Sequence, residues 1–152
     1  MPTAEQELKD YLRQEGYRLT PERFEVLDAV MTEPGHFEAD DLFLHLKESG
    51  SKVSRATVYK TLQILEECDL VYRQRVGKHG SRYEKAFGRP HHDHLICIHC
   101  GKIVEFIDPV IEDRQKNIAR LHEFEFVSHS HQLFGLCSDC RSKKRNKQNT
   151  LI

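Results

Sequence analysis

Four of the five cysteines stand in two pairs of equal spacing, Cys97-x2-Cys100 and Cys137-x2-Cys140. Each pair lies beside the end of an expected strand and encloses residues that tolerate a turn, which is the form of a zinc knuckle. Two knuckles supply four thiolates, enough to close a tetrahedral Zn2+ site with no open position, and a closed site holds structure. The 36 residues between the pairs exceed the span of a small zinc ribbon, so the metal would clip the start of a domain to its end. The competing reading is a pair of redox disulfides. Cys68 has no such partner and reads as a small apolar residue of a helix.

A second donor-rich stretch, His91-His92-Asp93-His94, runs into the first knuckle. If it is extended, alternate residues point to opposite faces, so His92 and His94 share one face and His91 and Asp93 the other. One short segment then feeds two separate metal sites. Each needs donors from elsewhere, and His36, Glu84, Glu105, Glu112 and His129 are of suitable type. Imidazole with carboxylate suits iron(II), manganese(II) or zinc. The alternatives are a surface histidine cluster without function and a hydrolytic metal centre, but the chain carries no HExxH-like helix for the latter.

The net charge of -1 conceals a polarity. Residues 52 to 89 carry nine Lys/Arg against four acids, and Arg141, Lys143, Lys144, Arg145 and Lys147 follow Cys140 with no acid among them. Phosphate binding needs local positive charge, so the first of these segments suits nucleic acid while the acidic remainder suits cations. The bland alternative is a pair of solvated faces.

These groups need elements to carry them. Thr3 opens a helix running toward Gly16, Thr20-Pro21 starts a second that ends before Pro34-Gly35, and a third is expected from Ala39 to Glu48. A fourth follows the cap Ser54, with Val58, Leu62 and Leu65 on its inward stripe. Val71 to Val76 and Ser81 to Glu84 then flank Gly77-Lys-His-Gly80 as a hairpin with a basic tip. Helices followed by such a hairpin describe a winged helix-turn-helix. Its fourth helix would enter the major groove with Arg55, Thr57, Tyr59 and Lys60 near the N-terminal end.

Gly88-Arg89-Pro90 reads as a hinge into a second unit. Strands are expected there at His92 to Ile98, Ile103 to Phe106, Phe124 to Val127 and Gln132 to Leu136, with a helix from Pro109 to about Leu121. The fold class is therefore α+β: a winged helix-turn-helix over 1–88, a small α/β domain over 89–140, and a basic, disordered tail over 141–152. No apolar run is long enough to cross a membrane, and no signal segment opens the chain, so a cytoplasmic, non-enzymatic protein is expected.

With these residues in view, the sequence resembles the ferric uptake regulator family of metal-dependent repressors. Arg18-Leu-Thr-Pro-Glu-Arg23, Ser54-Arg-Ala-Thr-Val-Tyr59 with Thr61-Leu62, the run HHDHLIC ending at Cys97, and both cysteine pairs carry the likeness in family order from about Leu8 to Cys140. The resemblance implies a homodimer, with higher oligomers also possible, that binds double-stranded DNA at A·T-rich inverted repeats. It assigns His36, Glu84, His92, His94 and Glu105 to a regulatory metal site that bridges the two domains. It assigns His91, Asp93, Glu112 and His129 to an additional site in the dimerisation domain, and it places Arg18, Arg23, Arg55 and Tyr59 at DNA.

Peroxide-sensing members have aspartates at the positions matching Glu84 and Glu105, and zinc sensors tend to use a cysteine in the regulatory site. The two glutamates, with no cysteine nearby, therefore imply Fe2+ as the regulatory metal, with Mn2+ and Zn2+ as the other candidates. One departure is that this chain has one residue more between Glu84 and His91 than typical iron sensors. Outside the family, a metal-buffering protein or a zinc hydrolase would be the alternative, and buffering would leave the Ser54 to Gln63 helix and the basic wing without a purpose.

Overall fold

The computed structural model describes residues 1–149, with side chains through Lys144. Its internal contacts divide into two units, Met1–Arg75 with Gly80–Pro90, and Val76–His79 with the residues from His91 onward. The architecture is α+β, a winged helix-turn-helix followed by a small α/β domain.

In the first unit the caps set the helices. The Thr3 hydroxyl accepts from Gln6 N and opens α1 (Ala4–Gln14), but the Gln6 side chain turns forward to Asp10, so the reciprocal half of a capping box is not made. Proline at the first position begins α2 (Pro21–Thr32), α3 covers Ala39–Glu48, and the Ser54 hydroxyl accepting from Thr57 N starts α4 (Arg55–Glu67). Leu8, Leu12, Val26, Leu27, Val30, Leu42, Val58, Leu62 and Leu65 are almost wholly buried and form one continuous core. This unit therefore has its own apolar driving force and presents α4 from a rigid support.

The wing follows as β1 (Val71–Arg75) and β2 (Ser81–Lys85), antiparallel with Tyr72 opposite Glu84, and its tip is a single 3-10 turn at Gly77–His79. A short bridge adds a third backbone segment to it. Phe37 and Tyr83 exchange N–H···O bonds of 2.8 Å, and that register sets His36 opposite Glu84.

The second unit is built on β3 (Asp93–Cys97), which lies in the middle of a three-stranded sheet. β4 (Ile103–Phe106) pairs antiparallel on one side and β5 (Gln132–Gly135) parallel on the other. Between β4 and β5 runs α5 (Pro109–Leu121), capped by Asp108, whose carboxylate accepts from Val110 N and Ile111 N.

Two expectations are corrected here. Phe124 to Val127 is not a strand: β3 already has both neighbours, the segment joins neither β4 nor β5, and its apolar residues stand exposed, Val127 at 84%. An extended segment becomes a strand only by pairing. The residues after Cys140 are not a disordered tail as far as they are described, because α6 runs over Ser138–Asn149. Cys137 O receives Arg141 N, Ser138 O receives the Ser142 hydroxyl, Asp139 suits the positive helix start, and the sequence beyond is rich in helix-forming Lys, Arg and Gln. Residues 150–152 lie outside the described residues.

Removing the cap of α4 tests how this helix is anchored. Ser54→Ala is expected to cost about 1 kcal/mol in urea unfolding, while Ser54→Asp retains the parent midpoint.

Candidate metal centres and nucleic-acid interface

The two cysteine knuckles meet because β3 and β5 run parallel. In their register Cys97 is opposite Gly135, so Cys97 ends one strand and Cys137 follows the other at the same edge of the sheet. Cys100 closes the first knuckle through a turn in which Gly101 adopts φ +77° and donates to Cys97 O, a left-handed conformation suited to glycine. Cys140 enters from the first turn of α6.

The four Sγ atoms lie within 4.8 Å of one another, all four thiols are free, and Cys100 Sγ is 3.8 Å from Cys137 Sγ. A tetrahedral metal with bonds of about 2.3 Å separates its sulfurs by roughly 3.8 Å, so the set fits zinc, and no disulfide closes either knuckle. Backbone N–H groups of Cys100 and Cys137 pull the Cys97 thiol down to about 5, whereas burial pushes Cys140 up to about 12.

A second cluster forms within the same unit from His91 and Asp93 at the start of β3, Glu112 in the first turn of α5, and His129 before β5. His91 Nε2 is 3.2 Å from Asp93 Oδ1 and 3.5 Å from Glu112 Oε1; His129 Nε2 is 3.4 Å and 3.3 Å from the same two atoms. A tetrahedral metal with N and O ligands at about 2.0–2.1 Å sets them roughly 3.3–3.4 Å apart. Asp93 Oδ1, Glu112 Oε1 and His129 Nε2 are also buried without a hydrogen bond among the described residues. Two carboxylate oxygens and two imidazole nitrogens aimed at one point, and not along mutual hydrogen bonds, are a fit for a divalent cation.

The remaining donors come from both units. In the winged helix, His36 Nε2 is 3.3 Å from Glu84 Oε2, and Glu84 is completely buried. The Gln74 amide donates to Glu84 Oε1 at 3.0 Å and Arg89 to Oε2 at 2.8 Å, so each oxygen of this buried carboxylate has a partner that orients it. In the second unit His94 is paired across the strands with Glu105, His92 Nε2 is 3.6 Å from Glu105 Oε1, and the His92 and His94 rings stand edge to face at 4.9 Å.

On the winged helix, Arg18, Arg23, Thr57 and Lys60 line one cleft of about 370 Å³ beside the start of α4. Arg23 and Lys60 both lie over the Tyr17 ring, and Arg23 also donates to Arg18 O. Tyr59 is 43% exposed, off the buried stripe of Val58, Leu62 and Leu65. Asp40 on α3 grips Arg55 at 2.7 Å and the Tyr59 hydroxyl at 3.0 Å, which presents both side chains together.

Residues 14–134 match the model of the ferric uptake regulator family. The chain belongs to that family. It is 41% identical over 138 residues to the ferric uptake regulation protein of Campylobacter jejuni, covering 90% of this chain and 87% of that one. Its fold is similar to that of the Helicobacter pylori ferric uptake regulator, a structure described as having three functional metal-binding sites, with TM-score 0.72, 31% identity, and 92% and 95% of the two chains covered. It is also similar to a zinc uptake regulator in complex with zinc and DNA, at TM-score 0.57 and 28% identity, over 95% of this chain and 99% of that one. Ferric uptake regulators are metal-binding, DNA-binding transcriptional repressors.

Four contributors around these donor sets and the cleft beside α4 escape the motifs. Gln74, Arg89 and Asp40 act by contacts across 10, 5 and up to 19 residues of sequence, which no local spacing reveals. His131, whose Nδ1 is 3.4 Å from Asp93 Oδ2, did leave a signal, since His129-Ser-His131 repeats the His-x-His pattern of His92 and His94.

Zinc retention should depend on pH with a defined sign. Zinc binds thiolates, and burial holds the Cys140 thiol well above its ordinary value, so between pH 8 and 6 binding must displace at least one proton from the cluster. Apparent zinc affinity, followed by chelator competition, is expected to fall about tenfold or more per pH unit as pH drops across this window. A Cys140→Ser variant should retain no tightly held zinc.

Proposed function

We propose that this chain is an Fe2+-responsive transcriptional repressor that binds double-stranded DNA in the cytoplasm as a homodimer, with Cys97, Cys100, Cys137 and Cys140 holding structural Zn2+. The observation that carries this reading is the division of donors: His36 and Glu84 are paired in the unit that bears α4, and His92, His94 and Glu105 are grouped in the other. Donors split in this way bind one cation fully only in an arrangement that joins them, so metal favours that arrangement over others. The arrangement in turn sets the spacing of two recognition helices in a dimer, and half-site spacing on DNA is a geometric requirement.

The metal follows from donor chemistry. The proposed regulatory set has three imidazoles, two carboxylates and no thiolate, which suits Fe2+ and equally accommodates Mn2+ or Zn2+. Glutamate at 84 and 105 and the Campylobacter jejuni relative's role in ferric uptake support iron. The cluster of His91, Asp93, Glu112 and His129 is proposed as an additional metal site. With the cysteine set and the proposed regulatory set it makes three donor groups, the number described for the Helicobacter pylori protein.

The homodimer is supported by what the second unit leaves uncovered. No residue of α5 is buried, and Val110, Ile118, Leu121, Phe124 and Val127 are 58–84% exposed. Large apolar side chains exposed to that extent mark a surface suited to a partner, and Phe124 to Val127, unpaired in the chain's own sheet, offers backbone to a second copy. For DNA, Arg55 and Tyr59 are proposed to read base edges, and Arg18, Arg23, Thr57 and Lys60 to hold the backbone of an A·T-rich inverted repeat.

The test titrates Mn2+, an air-stable stand-in for Fe2+, into chelator-treated protein that retains its cysteine zinc, with fluorescence anisotropy of an A·T-rich palindromic duplex at fixed salt. Affinity is expected to rise about 5–150-fold with metal, the usual range for coupled sites, and His92→Ala should abolish the rise. Equal affinity with and without metal would replace the switch by a metal-independent DNA binder or a metal buffer.

A further inference from the structure

The additional donor cluster is asymmetric around Asp93. This residue is 1% exposed, and its two oxygens have different surroundings. Oδ1 faces His91 Nε2 and His129 Nε2 and makes no hydrogen bond among the described residues, while Oδ2 is 3.4 Å from the Nδ1 atom of His131. The His131 ring is itself fixed. Its backbone carbonyl accepts from His94 N, continuing the β3–β5 ladder by one step, and the Phe106 ring stands edge to face against it at 5.9 Å. Phe106 is the cross-strand partner of Asp93 in the β3–β4 ladder, so all three side chains meet on one side of the sheet.

A carboxylate free to rotate offers either oxygen to a cation and loses freedom on binding. One oxygen tied to an N–H donor leaves the other aimed, and a hydrogen-bonded partner of a ligating group raises metal affinity by pre-orienting it. From this geometry we propose that His131 is a positioning residue for the additional metal site, holding Asp93 Oδ2 so that Oδ1 faces the cation shared with His91, Glu112 and His129. In this role His131 donates to Oδ2 through Nδ1–H and is not counted among the ligands. The inference rests on reading that cluster as a metal site, and the roles of His131 and His129 separate the two claims.

The probe is cobalt(II), titrated into full-length, zinc-retaining protein carrying His36→Ala and His92→Ala, which removes the proposed regulatory set. Affinity is read by competition with a chelator and geometry by the visible d–d bands. Against this background His131→Leu is expected to weaken cobalt(II) binding about 10–100-fold, as removal of such a partner does elsewhere. His131→Asn places an amide N–H near the position of Nδ1, and both the affinity and the band shape should return close to the parent values. Thermal unfolding in chelator should be alike for the Leu and Asn variants, which separates positioning from general destabilisation. If His129→Ala abolishes binding but His131→Leu leaves it unchanged, His131 has no positioning role. If His129→Ala leaves binding unchanged, the cluster is not the site and the inference falls with it.

Discussion

The pairing of β3 with a strand on each side is the constraint on which the second unit depends. Five residues, Asp93–Cys97, are held between antiparallel β4 and parallel β5. Strand alternation then sends His94 toward Glu105 on one face and Asp93 toward Phe106 and His131 on the other. The parallel register with β5 also brings the end of the strand to the second cysteine knuckle. A one-residue slip would exchange the faces and dismantle all three donor groups together, so the tight knuckle at the strand end serves the other sites by pinning the register.

Buried carboxylates form a second common thread. Glu84 and Asp93 are at most 1% exposed, and an ionised group in such a place must be compensated. Glu84 has Arg89 and Gln74 for this, together with His36, whereas the ion-pairing partners of Asp93 among the described residues are the histidines His91, His129 and His131. The two environments suit different tasks. Glu84 is braced within the winged helix itself, by Gln74 on one oxygen and Arg89 on the other. Asp93 and Glu112 present carboxylate oxygens to the same two imidazoles, and a cation there would tie together β3, α5 and the segment before β5.

The helices of the winged unit were readable because their signals are local. Ser54, Thr3 and Pro21 mark starts by their own chemistry, and the inward stripe of α4 follows from helical period. The cysteine pairs were readable from spacing, and the alternation of His91 to His94 from strand period. What sequence spacing left out depends on tertiary pairing. Phe124 to Val127 has the composition of a strand, yet it joins neither outer strand of the sheet, β4 or β5, and without pairing it is not a strand. The helix after Cys140 has no apolar stripe to betray it and starts from the knuckle instead. Gln74, Asp40 and Arg89 became visible only when the wing, α3 and α4 were in place, because their partners are set by register and packing.

The central claim is that the metal donors and the DNA-binding surface are energetically coupled through the arrangement of the two units. Coupling between two ligands is reciprocal, so DNA that selects the metal-favoured arrangement must tighten metal binding by the same factor that metal tightens DNA. The direct measurement is the Mn2+ affinity of the zinc-retaining protein, by competition with a fluorescent chelator, with a saturating operator duplex and without it. The account predicts tighter Mn2+ binding in the presence of the duplex, equal in ratio to the metal effect on DNA affinity and absent in His92→Ala. The same Mn2+ affinity with and without duplex would contradict it.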